Sequence, residues 1–192
     1  GFAFQFGEGN GLIGHNYFFL HGGTAAYGST KVAFLAFWLF QFAFADTAST
    51  VTSGAMVGRT SFKGDILYSI MVSGFIYPIF GHWVWGPGGV LNATNDQAWF
   101  KVLDFAGGTV VHINSGTAGL VACLVLGARK DSGPAHNIVL TFIGASLLWV
   151  GWFGFNAGSA LGANHAAAVV FVTTLCAGAA GTLGWLLMER LR

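Results

Sequence analysis

Five apolar stretches follow one another along the chain, at roughly residues 32 to 57, 65 to 85, 104 to 127, 137 to 160 and 165 to 188. Each is long enough to cross a hydrocarbon core about 30 Å thick as a helix rising about 1.5 Å per residue. A backbone in lipid must satisfy its polar groups within itself, so such runs predict helices. Charged positions fall in the connections: Arg59, Lys63 and Asp65 after the first run, Arg129, Lys130 and Asp131 after the third, Glu189, Arg190 and Arg192 after the fifth. Glu8, Lys31, Asp96 and Lys101 occupy the other connections. Lysine and arginine favour the first set by 6 to 2, which makes that set cytoplasmic. Residues 1 to 31, 86 to 103 and 161 to 164 then face outward. The fold class expected is an all-α polytopic membrane protein.

Composition agrees: 54% of residues are hydrophobic, 8% are charged, and the mean hydropathy is +0.65. A soluble bundle of long core helices is the competing reading, and charges confined to the connections weigh against it. Trp38, Trp83, Trp85, Trp99 and Trp185 fall near span ends, where interfacial belts form. Gly54 with Gly58, and Gly154 with Gly158, have the spacing that lets helix backbones approach closely. A net charge of +1 offers no basic field for nucleic acid. Cys123 and Cys176 stand alone, so neither a disulfide framework nor a CxxC metal knuckle is expected. Gly1 in place of an initiator methionine, with no basic n-region and cleavage site after it, reads as the interior of a longer protein rather than a secretory leader.

Ionisable groups inside such spans are the first candidates for function. Asp104, Gly108, His112, Ser115 and Gly119 recur at helical spacing and define one stripe, with Ile113, Leu120 and Leu124 opposite. In a continuous helix the eight steps from Asp104 place His112 about 12 Å below the helix start, near the midplane. The small residues around it would leave open space beside the imidazole, which suits a pore wall. A buried histidine bonded to a neighbouring helix fits the same pattern. Asp104 likewise reads as an N-cap at the positive end of the helix dipole. In the fourth span Trp152, Phe155 and Ser159 share a face that ends in a hydroxyl at the outer surface. Aromatic stripes of this kind are usually core. Here the ring faces and the hydroxyl oxygen could also exchange with the hydration of a cation, each cation–π contact contributing about 1–2 kcal/mol when desolvated. Trp85 and Phe44 could complete such a cage.

Other signals carry less. Gly9-Asn-Gly-Leu-Ile-Gly14 has the G-x-G-x-x-G form but neither the strand before nor the crossover helix after that gives those glycines a purpose. His15, His21, His82, His136 and His165 lack metal-ligand spacing and read as ordinary surface or interfacial histidines. Asn92-Ala-Thr94 matches a glycosylation sequon. No nucleophile, base and orienter come together in sequence, so an enzyme, a metal and a cofactor are all unexpected.

Five stretches together resemble the ammonium transporter, methylammonium permease and Rhesus family, on its ammonium transporter side. They are Gly1-Phe-Ala-Phe-Gln-Phe-Gly-Glu-Gly-Asn10, Phe40-Gln-Phe-Ala-Phe-Ala45, His82-Trp-Val-Trp-Gly86, Asp104-Phe-Ala-Gly-Gly-Thr-Val-Val-His-Ile-Asn114 and Gly151-Trp-Phe-Gly-Phe-Asn-Ala-Gly-Ser159. The resemblance implies part of that membrane domain over residues 1–192: an outer loop at 1–31 after the end of an earlier helix, then five transmembrane helices over 32–188. It also implies an outer ammonium recruitment site of Trp85, Phe44 and Ser159, a phenyl gate of Phe44 and Phe155, and Trp152 lining the conduit below. His112 would be the first of two pore histidines, where the ion gives up its proton so that ammonia and the proton cross separately, and Asp104 would support the recruitment site. Implied partners are ammonium or ammonia with methylammonium as analogue, membrane lipid, further copies in a homotrimer and a cytoplasmic regulatory protein. The implied place is the plasma or inner membrane, crossed several times. An ammonium sensor on the same membrane domain and a Rhesus-type gas channel are the alternatives. Val57-Gly58-Arg59 departs from the Ala-Glu-Arg common in relatives, leaving a cytoplasmic carboxylate missing. The second pore histidine belongs to a later helix than these.

Overall fold

The apolar runs become helices with edges set by caps and by proline. The structure, a computed structural model, describes residues 1–130 and 133–192. Its helices are α1 (Phe2–Phe6), α2 (Phe34–Met56), α3 (Phe62–Trp85), α4 (Gly108–Leu126), α5 (Ile138–Gly158) and α6 (His165–Leu191). Helices α2 to α6 are each long and apolar enough to cross a membrane. Among the described residues there is no strand, only isolated bridges such as Gly9 with Gly14. That bridge closes a tight loop in which Asn10 Oδ1 accepts the N–H groups of Leu12 and Ile13, the local purpose of the G-x-G-x-x-G stretch. Asp131 and Ser132 lie outside the described residues.

The chain forms two compact units, Gly1–Gly133 and Pro134–Arg192. In the first, α2 turns Phe37, Gln41, Phe44, Ala48, Thr52 and Met56 inward, a stripe at steps of three and four. It packs along α4, where Thr52 Oγ1 donates to Ser115 O over 3.2 Å. A Cβ added to Gly119 would stand 3.4 Å from Ala55 Cβ. Ser115 and Gly119 therefore serve close helix packing rather than opening space beside His112. Ile113, Leu120 and Leu124 face outward, as the stripe requires.

Asp46, midway along α2, is a charge inside a span, against the expectation that charges keep to the connections. It is exposed, and it lines a cleft of about 510 Å³ between α1, α2 and α3 together with Asp65, Ser49 and Ser69. Helix α3 starts at Ser61, whose Oγ accepts from Gly64 N, with Asp65 in the favourable first turn. It widens to a π-type turn over Val72–Ile76 just before Pro78. Proline has no N–H to donate and its ring crowds the carbonyl four residues back, which the wider turn accommodates.

The missing carboxylate at Gly58 is replaced by carbonyls. Arg59 donates from Nη1 to Ala55 O (2.7 Å) and from Nε to Gly127 O (2.8 Å), while Arg129 Nε donates to Val57 O (2.9 Å). Each arginine satisfies carbonyls that the ends of α2 and α4 leave without helical partners, at the ends where cations are favoured.

Before α2, Tyr27 stacks on Phe37 at 4.2 Å and donates its hydroxyl to Phe6 O, inside a cluster that includes Phe2 and Phe34. Burial, and then the charges of Tyr17 and Glu8, push the Tyr27 phenol well above the usual range.

In the second unit α5 and α6 are capped by Asn137 and Asn164, each accepting a backbone N–H with its side-chain oxygen. Phe153 stacks on Phe171 at 4.2 Å, Asn156 Nδ2 donates to Thr174 Oγ1 over 3.1 Å, and the Trp149 ring lies over Gly178. A Cβ on Gly178 would overlap that ring, whereas one on Gly181 would meet nothing within 4 Å. Gly178→Ala is therefore expected to cost about 1–3 kcal/mol by overpacking. Gly181→Ala is expected to be neutral or to gain up to about 1 kcal/mol of helix propensity. Thermal unfolding of the full-length protein in detergent compares the two, and equal midpoints would contradict this account of the α5–α6 seam.

Candidate functional site

Asp104 lies before α4, not within it, and its half-buried carboxylate gathers the N–H groups that open that helix. Oδ1 accepts from Gly107 N (2.6 Å) and Gly108 N (3.0 Å), and Oδ2 from Thr109 N and Val110 N (2.8 Å each). Four donors at the start of a helix hold the carboxylate in one geometry. The loop can fold back this way because Gly107 adopts φ +94°, and a Cβ there would strike Val111 and come within 3.4 Å of the Trp85 ring.

The same loop fixes Trp85, at the end of α3. Its indole N–H donates to the Asp104 backbone carbonyl over 2.7 Å. The ring meets Phe44 edge to face, with centroids 5.7 Å apart at 68°. Phe44 is fully buried and is supported in turn by Phe40 at 4.8 Å. Edge-to-face packing is the geometry aromatic quadrupoles favour, so the pair is held by direction as well as by area.

His112 sits in the π-type segment Gly108–Ile113 that begins α4. Because the helix starts at Gly108, only four steps separate its start from the imidazole, about 6 Å of axis at the α-helical rise rather than 12 Å. Its Nδ1 faces Gly107 O at 3.1 Å. A carbonyl only accepts, so Nδ1 carries a proton and the neutral ring keeps its lone pair on Nε2. Beside the preceding turn, a Cβ added to Gly108 would meet nothing within 4 Å.

In the second unit, Trp152 and Phe155 have ring centroids 5.9 Å apart, and Ser159 Oγ donates to Phe155 O over 2.8 Å at the end of α5. With its proton so placed, the hydroxyl oxygen keeps its acceptor lone pairs. The structure thus joins Phe44, Trp85 and Asp104 in one constellation with His112 on the adjoining turn, and joins Trp152, Phe155 and Ser159 in another.

Three features were not read from the sequence. His82 is completely buried rather than interfacial, and Asn92, in the sequon, directs its amide to Gly86 O over 2.8 Å. The third is the pairing of Asn156 with Thr174, two residues on different helices that no spacing along the chain connects. Among the described residues no group of three or more His, Cys, Asp or Glu could hold a metal ion.

Five helices long and apolar enough to cross a membrane define a multi-pass membrane protein. The family model for the Ammonium Transporter Family matches residues 1–192, and the chain belongs to that family. It is 51% identical over 152 residues to an ammonium transporter of Aquifex aeolicus, covering 79% of this chain and 34% of that one. With an ammonium transporter of Bacillus subtilis the identity is 44% over 155 residues, covering 80% and 37%. A crystal structure of a Mep2 mutant from Candida albicans matches with a TM-score of 0.85 and 30% identity, covering 100% of this chain and 44% of that one. The chain thus spans about a third of the length of the curated relatives it matches.

Proposed function

We propose that the protein moves ammonium or ammonia across a cell membrane, and that this chain supplies part of the recruitment mouth and part of the conduit. The observation that carries the reading is the Trp85–Phe44 edge-to-face pair, clamped by the Asp104 loop that also begins the helix bearing His112. Trp85 presents a ring face to an arriving cation, and Phe44 closes the way behind it to water. His112 accepts the ammonium proton there, so that ammonia crosses the apolar depth as a neutral molecule while the proton crosses separately, which resets the ring and carries the charge. A bare ammonium at that depth would carry a solvation penalty of several kcal/mol, which neutral ammonia avoids. Trp152, Phe155 and Ser159 take the conduit-lining, gating and recruiting roles that the family resemblance gives them. The names of the Aquifex aeolicus and Bacillus subtilis relatives, both ammonium transporters, support the substrate class, and support transport over enzymatic chemistry.

The reading extends to a homotrimer in the plasma or inner membrane, with methylammonium as an analogue and a cytoplasmic protein as regulator. Trp85→Leu in the full-length protein removes one cation–π contact, and the apparent KM for methylammonium uptake is expected to rise about 5–30-fold, the equivalent of about 1–2 kcal/mol. An unchanged KM in a folded variant would remove Trp85 from the recruitment site.

A further inference from the structure

His82 stands one turn before Trp85 with no exposed surface, and both of its ring nitrogens face backbone carbonyls. Nδ1 lies 2.8 Å from Gln5 O and Nε2 lies 2.8 Å from Asn10 O. A carbonyl oxygen only accepts, and a neutral imidazole has one N–H and one bare lone pair. In either neutral tautomer a ring lone pair would face an oxygen lone pair at hydrogen-bond distance, in a place closed to water. Two donations need two ring protons. We propose that His82 is an imidazolium in the folded protein, and that this buried cation is a positioning residue for Trp85. The second half of that statement rests on the function proposed above.

The carbonyls and the helix ends around the ring offset part of what burying a charge costs. His82 lies in the last turn of α3, and the Gln5 carbonyl belongs to the last turn of α1, so the negative ends of two helices meet at the ring. Helix α1 contributes no titratable side chain, and neither does the Gly86–Leu91 turn. The loop after α1 contributes Glu8 and His15, both exposed, and α3 contributes the buried Tyr77. The space is built for the ring: a Cβ on Gly86 would overlap it, and a Cβ on Gly81 would stand 2.5 Å from Gln5 Nε2. Gln5 Nε2 in turn donates to Tyr77 Oη over 3.5 Å.

The consequence is a staple across the mouth. One charged ring ties α1 and the Asn10 loop to the end of α3, and Trp83 Nε1 repeats the tie by donating to Leu12 O over 3.0 Å. Trp85 is then held from two sides, by the staple through its own helix and by the Asp104 loop through its indole.

The test uses full-length protein in lipid bilayers with nitrogen-15 in the histidine rings and carbon-13 in the glutamine and asparagine carbonyls. Solid-state NMR identifies His82 by its two short carbonyl contacts, with no substitution needed. Both ring nitrogens are expected to be protonated at neutral pH, and one bare nitrogen would overturn the imidazolium. The second arm is methylammonium uptake by His82→Gln, which can donate to one carbonyl but not to both. Its KM is expected to rise by about threefold or more with kcat held, and an unchanged KM in the folded variant would overturn the positioning role. Absence of uptake by the wild type would refute the proposed function and leave the ring's charge to the NMR result alone.

Discussion

Asp104→Ala is expected to destabilise the full-length protein by about 2–4 kcal/mol, with the outer end of α4 losing order first. The two carboxylate oxygens accept four backbone N–H groups, and alanine leaves all four to find water or remain unpaired. The Trp85 indole is bonded to the backbone of the same residue, so fraying of this loop should also loosen the mouth. Asp104→Asn keeps one acceptor oxygen and should fall between the two. Denaturant unfolding followed by tryptophan fluorescence reads both effects. An alanine variant as stable as the wild type would contradict the capping account.

His112→Ala is expected to have the larger functional effect. With no imidazole on the first turns of α4, a proton can no longer be left there, and the substrate would have to cross as a cation. Each 1.36 kcal/mol added to the barrier slows transport tenfold, so methylammonium uptake should fall by tenfold or more. If water fills the space left by the ring, the variant should instead pass potassium. Uptake and a potassium flux assay on the same proteoliposomes read both outcomes. Wild-type uptake with wild-type selectivity would remove His112 from the conduction path.

The helices were legible because hydropathy in a bilayer is a one-dimensional signal: α2, α3, α5 and α6 begin and end within a few residues of the apolar runs. The start of α4 was not. Asp104 shares the helical spacing of His112, but its carboxylate satisfies the helix from outside, and a left-handed Gly107 separates the two. Spacing alone cannot distinguish a residue in the first turn from one that caps it. The π-type turns were hidden for a similar reason, although Pro78 was a visible cause for the one in α3. Phe44 and Trp85 are far apart in sequence, and no spacing along the chain predicts the contact their rings make. His82 was the clearest miss. Its partners are the backbone carbonyls of Gln5 and Asn10, which carry no residue-type signature. Asp46 was readable as a charge within an apolar run and stands in the cleft beside α3.

The most direct test of the central claim is a current measurement. Full-length protein reconstituted on a solid-supported membrane is given an ammonium jump, with Trp85→Leu run beside it. The account predicts a saturable current whose half-saturation shifts to higher ammonium in the variant. A folded wild-type protein that binds ammonium but passes neither current nor methylammonium would contradict transport and make the chain part of a sensor.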